Sequence, residues 1–276
     1  MRDEGEAMIR RAFIRAVAAA AGLLSLAAIQ DAAAQESVFS AGNGVIYGTR
    51  QNGSLQWYLH RGWQEGKASW AGPQSVGTGW GSFTRVVPGE NGVIYGILPN
   101  GDLRWHRHDG WQTGTVDWAD ARTVGTGWNA FTRVFSAGGG VIYGVLPNGD
   151  LHWYRHNGWQ TGAVDWTGPQ KVGNGWNVFT HVFSGGRGVV YGILPNGDLH
   201  WYRHNGWQTG AVDWTGPQRV GTVWNSFAHV FSGGRGVIYG ILPNGDLHWY
   251  RHNGWQTGAV DWTGPQKVGA GWNAFL

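Results

Sequence analysis

The stretch YGILPNGDLHWYRHNGWQTGAVDWTGPQ occupies residues 191–218 and returns, letter for letter, at residues 239–266. A segment written twice either builds the fold by repetition or repeats a binding surface, and its Trp, Asn and Asp content leaves both readings open. Working outward, Tyr47, Tyr95, Tyr143, Tyr191 and Tyr239 each precede a glycine and stand 48 residues apart. Trp57, Trp63, Trp70 and Trp80 recur on the same clock as far as Trp249, Trp255, Trp262 and Trp272, so five sets of four account for all 20 tryptophans. Residues 37–276 number 240, which is five lengths of 48. Self-similarity at such a period marks a repeat architecture.

One unit reads as short strands. In the third copy, FTRVFS (131–136) and VIYGVL (141–146) are rich in β-branched and aromatic residues and bounded by glycine. PNG (147–149) is a tight turn leading into a third strand, DLHWYRH (150–156). PQKVG (169–173) supplies a fourth, and NGWNVF connects to the next unit. No window shows helical periodicity with caps. Within LHWYRH, the Leu151, Trp153, Arg155 face and the His152, Tyr154, His156 face both carry large rings, as blades packed on two sides require. The expected fold is all-β: a five-bladed β-propeller of four-stranded antiparallel blades. The chain ends at GWNAFL where other copies continue TRVFS, and SVFS after the leader supplies the missing letters. Phe275 and Leu276 are therefore expected to dock beside Ser37 and close the ring.

Residues 1–34 read as a secretory signal peptide and 35–276 as the propeller. Arg10, Arg11 and Arg15 precede an apolar run over 16–29, too short to span a bilayer, and Ala32 and Ala34 give the small-x-small cleavage pattern near Ala34. Met8 is an alternative start. The expectation is a secreted or periplasmic protein without membrane insertion. There is no cysteine, hence no disulfide framework and no thiolate metal site. A net charge of +3, spread along the chain, lacks the basic block of a nucleic-acid footprint.

The segment NGWQTGAVDWTG (157–168) is longer than a connection between two strands needs. Its indoles suit a sugar ring, which presents apolar C–H faces and polar edges to an aromatic platform beside fixed donors and acceptors. The same side chains also serve packing: Trp153 reads as blade-to-blade packing, Trp159 and Trp166 as platforms or as wedges under the loop, and Asp165 and Asn177 as ligand contacts or turn formers.

The connector GxGWNxF, the VFS and IYG strands and the DW before the outer strand resemble the tachylectin-2 family of five-bladed propeller lectins, in all five copies. That resemblance implies binding of N-acetylglucosamine or N-acetylgalactosamine between adjacent blades, by the long loop of one blade and the connector from the blade before. Carried over, Trp159, Asp165 and Trp166 face Trp128 and Asn129, and Trp207, Asp213 and Trp214 face Trp176 and Asn177. Trp255, Asp261 and Trp262 face Trp224 and Asn225, where Val223 replaces a glycine. Trp111, Asp117 and Trp118 face Trp80 and Gly81, where the asparagine is missing, and the first loop has Ser69 for Asp. The family's Asp-Asn-Trp is Val164, Asp165, Trp166 here. The implied ranking is two complete sites, one altered and two weak, with glycans bearing N-acetylated sugars as partners.

Two rival functions fit less of the pattern. An enzyme gathers one asymmetric set of groups, whereas every candidate acid or histidine here recurs by rotation. No cofactor is implied. His152 and His156, four residues apart on a strand, lie about 13 Å from each other, too far to share a metal. They read as solvated or packing residues. A propeller scaffold for protein-protein interaction would also use a Trp-rich surface, and is the alternative.

Overall fold

A computed structural model describes residues 38–276, and they form five four-stranded antiparallel sheets, each in simple chain order. The leader, its cleavage point and Ser37 lie outside the described residues. The sheets span 38–77, 85–125, 133–173, 181–221 and 229–269, and each is one blade. In the third blade the strands are Arg133–Gly138, Val141–Val145, Leu151–His156 and Trp166–Gly173. The second and third fall within a residue of where the sequence places them, and the first lies two residues later. The outer strand starts three residues early, because Trp166 pairs with His156 and Thr167 with Arg155. The connector contains a short 3-10 turn, Trp176–Val178, with equivalents after every blade. No described helix is long and apolar enough to cross a membrane.

Strand alternation decides what each blade shows its neighbours. Phe135, Tyr143 and Trp153 lie side by side across three strands, in register, and face the next blade. Val134 and Ile142, with the half-buried Tyr154, face the blade before. The apolar residues consequently fall into five clusters, one per seam between blades, in place of a single central core. The second-strand glycine of each IYG or VYG is required for this packing. A Cβ on Gly144 would sit 2.5 Å from the ring of Phe131, so the connector phenylalanine lies flat on backbone.

The same contact closes the ring. Phe275, buried at the end of the chain, covers Gly48 of the first blade, where an added Cβ would meet its ring at 2.7 Å. Trp272 lies 4.8 Å from Tyr58, and the Trp70 indole N–H donates to the Val268 carbonyl at 2.7 Å. Phe275 thus does for the first blade what Phe131 does for the third. Large-to-small changes in such positions cost about 3–5 kcal/mol. Phe275→Ala is expected to destabilise the whole ring by that order in denaturant unfolding, and removal of residues 271–276 by more; an unchanged melting temperature would show that closure does not run through this segment.

Candidate functional site

The long loop is built onto the preceding blade by indole and histidine hydrogen bonds that repeat in every seam and by an arginine contact that four seams share. Between the second and third blades, the Trp105 indole donates to the Trp159 carbonyl and the Trp166 indole to the Val124 carbonyl, each at 2.7 Å. Arg107 donates to the Gln160 carbonyl at 2.9 Å. His156, fully buried, lies against the Ala163 carbonyl through Nε2 at 2.7 Å and the Tyr95 hydroxyl through Nδ1 at 2.9 Å. A carbonyl only accepts, so Nε2 carries the proton, and in the neutral ring Nδ1 accepts from the Tyr95 hydroxyl. Burial holds His156 below the usual histidine range and pushes the Tyr95 phenol upward, which keeps both neutral.

Trp166 is the hub of an aromatic cluster. Its indole stacks on His156 at 4.4 Å and 13°, and meets Trp128 of the preceding connector at 5.7 Å and 44°. Tyr154 stands 4.9 Å from Trp128. The connector and loop tryptophans predicted to face each other do so in all five seams: Trp80 with Trp118, Trp128 with Trp166, Trp176 with Trp214, Trp224 with Trp262, and Trp272 with Trp70, at 5.4–5.7 Å. The connector indoles are buried and the loop indoles half-buried. Within this cluster the ring surface offered to a ligand is that of Trp166 and its equivalents, each positioned by the connector indole it meets. Trp159 is not part of this cluster. Its ring lies over Gly140 of its own blade, as Trp207 lies over Gly188 and Trp255 over Gly236. Trp111 is buried in the same way over Gly92.

The polar residues separate the seams. Exposed Asp165 accepts from the Asn157 side-chain amide at 3.1 Å, and the same amide reaches the Thr167 hydroxyl at 3.1 Å. Asn205, Asp213 and Thr215 repeat this trio, as do Asn253, Asp261 and Thr263. The second blade has Asp109, Asp117 and Ala119 at these positions and the first has Arg61, Ser69 and Ala71. Sequence reading singled out the aspartates but not Asn157 or Thr167; the sign was there, since all three positions change together. Asn129 is turned to its own blade, its amide donating to the Pro99 carbonyl at 3.3 Å. Asn177 and Asn225 do the same at Pro147 and Pro195. These asparagines brace the hairpin turn beside the cluster. In the second blade His106 replaces the tyrosine beside Trp80, with Nε2 buried and unpartnered, and burial lowers its pKa to about 4. Beside each Asp in blades two to five is an exposed valine, Val116, Val164, Val212 or Val260.

Together the loop mouths offer a carboxylate, an amide, a hydroxyl, exposed methyl groups and an indole edge, a mixture suited to a hydroxylated ring with an apolar substituent. A ring of five blades with such clusters in its seams is a carbohydrate-binding propeller lectin. A family model described as Tachylectin matches residues 30–177 and 74–276, and the chain belongs to the Tachylectin family. No curated protein matches the chain. A solved structure from work on how folding constraints shape the de novo evolutionary emergence of a symmetrical protein is 23% identical with a TM-score of 0.53, covering 84% of this chain and 95% of that one. The likeness shows the fold. A fungal lectin, the six-bladed Aleuria aurantia lectin with a fucose recognition mode, is 14% identical over 84% of this chain and 77% of its own, with a TM-score of 0.44. The SapL1 lectin, solved with α-methyl fucoside, is 15% identical over 82% and 78%, also at 0.44. These two carry no argument about the ligand here.

Val223 takes φ 66, the left-handed conformation that Gly127 and Gly175 hold at the equivalent place. A Cβ at those glycines meets nothing within 4 Å, and Val223 is exposed, so the replacement strains backbone without crowding the connector. Val223→Gly is expected to stabilise the protein by about 1 kcal/mol in denaturant unfolding, and Gly175→Val to cost a similar amount. The buried histidines supply a second test. Burial lowers His60, His108, His156, His204 and His252 from their ordinary 6.5, so the unfolded chain binds protons that the folded chain refuses. Stability is full above about pH 6.5 and falls on acidification toward about 4, where His106 and His229 titrate. Calorimetry should show the melting temperature dropping between pH 7 and 5, and a flat profile would contradict neutral, buried rings.

Proposed function

We propose that the protein is an exported, multivalent lectin that binds N-acetylglucosamine or N-acetylgalactosamine at the loop mouths between adjacent blades, without catalysing a reaction. The observation that carries this reading is the hydrogen-bonded trio Asn157, Asp165 and Thr167 on the same loop mouth that carries the half-exposed indole of Trp166 and the exposed Val164. A carboxylate and an amide suit the hydroxyls and the acetamido N–H and C=O of such sugars, and valine methyls suit the acetamido methyl. The trio's recurrence in the third, fourth and fifth loops favours those seams. The third and fourth add an unaltered connector, the fifth carries Val223, and the first and second lack the trio. Several weak sites on one rigid ring give avidity toward a clustered glycan surface. A leader over residues 1–34 places the protein outside the cytoplasm under this reading.

Calorimetric titration with free N-acetylglucosamine and N-acetylgalactosamine, against glucose as control, tests the proposal. Two or three sites per chain are expected, with Asp165→Ala and Asp213→Ala each removing one and losing about tenfold or more in local affinity. Five equivalent sites would overturn the ordering. No response to either acetylated sugar would overturn the specificity, and retained binding to a protein partner in that case would favour an interaction scaffold.

A further inference from the structure

The seam between the fifth and first blades contains a cleft of about 300 Å³ lined by Trp249, Arg251, Asn253, Trp255 and Thr263 of the fifth blade and by Gln64 and Glu65 of the first. It is separate from the cluster around Trp224 and Trp262. Along the third strand, Leu247–His252, Trp249 and Arg251 alternate with Tyr250, and Tyr250 is the residue that packs on Trp224. The cleft therefore opens on the opposite face of the blade.

Its lining is held in place. The Trp249 indole is committed to the Trp63 carbonyl at 2.7 Å, and Arg251 spends one N–H on the Gln64 carbonyl at 3.0 Å. The Asn253 amide is fixed by Asp261 and by Thr263. Glu65 is different. It is exposed, and its carboxylate makes no hydrogen bond or ion pair among the described residues. The corresponding residues of the other loops are Thr113, Thr161, Thr209 and Thr257. Those threonines are turned back on their own loops: Thr161 donates to the Gly158 carbonyl and accepts from the Ala163 amide, and Thr257 does the same with Gly254 and Ala259. Only the first loop sets a carboxylate at this place, and only the fifth-to-first seam joins it to an arginine and the Asn253–Thr263 pair.

We propose that this cleft is a binding site of its own, for one neutral sugar ring presenting a vicinal pair of free hydroxyls. One hydroxyl pair donates to Glu65 and accepts from the remaining guanidinium donors of Arg251, while the half-buried indole of Trp255 borders the ring's C–H face. The two opposite charges select for neutrality. A uronic acid meets Glu65 and an amino sugar meets Arg251 with like charge, each unfavourable at close range. Asn253 and Thr263 also belong to the fifth loop's trio, so an acetylated sugar held there competes with the hexoside at this one seam; Glu65 and Arg251, which the acetamido reading does not use, separate the two readings.

The test is saturation-transfer NMR with calorimetry on the full-length protein, using methyl α-D-mannopyranoside, methyl β-D-galactopyranoside and methyl β-D-glucopyranoside as probes, and glucuronate and glucosamine as charged comparisons. At least one neutral hexoside is expected to bind once per chain, more tightly than either charged sugar. Glu65→Thr, which copies the residue of four other loops, is expected to weaken that binding about tenfold or more with an unchanged melting temperature. Thr257→Glu, which sets a carboxylate opposite Arg203, Asn205 and Thr215 in the neighbouring seam, is expected to raise the count to two. Binding unaffected by Glu65→Thr, no binding of any neutral hexoside at millimolar concentration, or tighter binding of a charged sugar would overturn the proposal. Loss of N-acetylglucosamine binding alone would leave it intact and count against the acetamido sites only.

Discussion

Across each seam a tyrosine hydroxyl is buried against a histidine ring, at 2.6–2.9 Å, and the histidine in turn holds the loop of its own blade. The rest of the ring depends on this relay. It joins the second strand of one blade to the third strand of the next, and through the Nε2–H it reaches a loop carbonyl such as that of Ala163. One face of the histidine ring carries the Trp166 indole of the adjoining outer strand. One neutral imidazole therefore satisfies two buried polar partners and orients the aromatic ring at the loop mouth. An unmet polar atom in such a place costs about 1–3 kcal/mol, so the relay has to be complete in every seam.

Because the relay and the indole bonds bind each loop to the blade before it, loop and seam form together. The long loop looks excessive for joining two strands, and its length is explained once its middle is seen lying across a neighbour: Trp159 and Gln160 give their carbonyls to Trp105 and Arg107. A site made of two blades held this way is pre-organised, so little ordering entropy is lost on binding. The departure in the first blade is informative. Leu59 stands where the arginine should be, so the first-to-second seam lacks the Arg-to-Gln contact that Arg107, Arg155, Arg203 and Arg251 make in the other four.

The ring was legible in sequence because strand alternation and the 48-residue clock are local or periodic signals. The facing of Trp128 and Trp166 came from the family resemblance, which sets one copy's connector against the next copy's loop. What stayed hidden were commitments between residues far apart in the chain. Asn129 was read as a ligand contact, and its bond to Pro99 spans 30 positions. His156 looked solvated or packed with nothing to say which, since its partner Tyr95 lies 61 positions away. The outer strand began early for a similar reason: Trp166 and Thr167 read as loop until their pairing with the third strand was seen. Glu65 was visible all along as the one acid among four threonines, but its meaning needed Arg251 from the other end of the chain.

The division between fixed and variable positions follows from where the bonds are. The latch is made of buried rings and backbone carbonyls, so it survives changes at Asn157, Asp165, Thr161 or their equivalents, whose side chains face solvent and whose replacement away from special contacts shifts stability by only about 0.5 kcal/mol. The five seams share one geometry and differ in chemistry. Asp109 with Asp117, Arg61 with Ser69, and the threefold Asn, Asp and Thr trio are different surfaces on the same aromatic support. Exposed seam chemistry on a latch that does not depend on it lets the surface of each seam vary while the spacing between seams stays fixed by the fold.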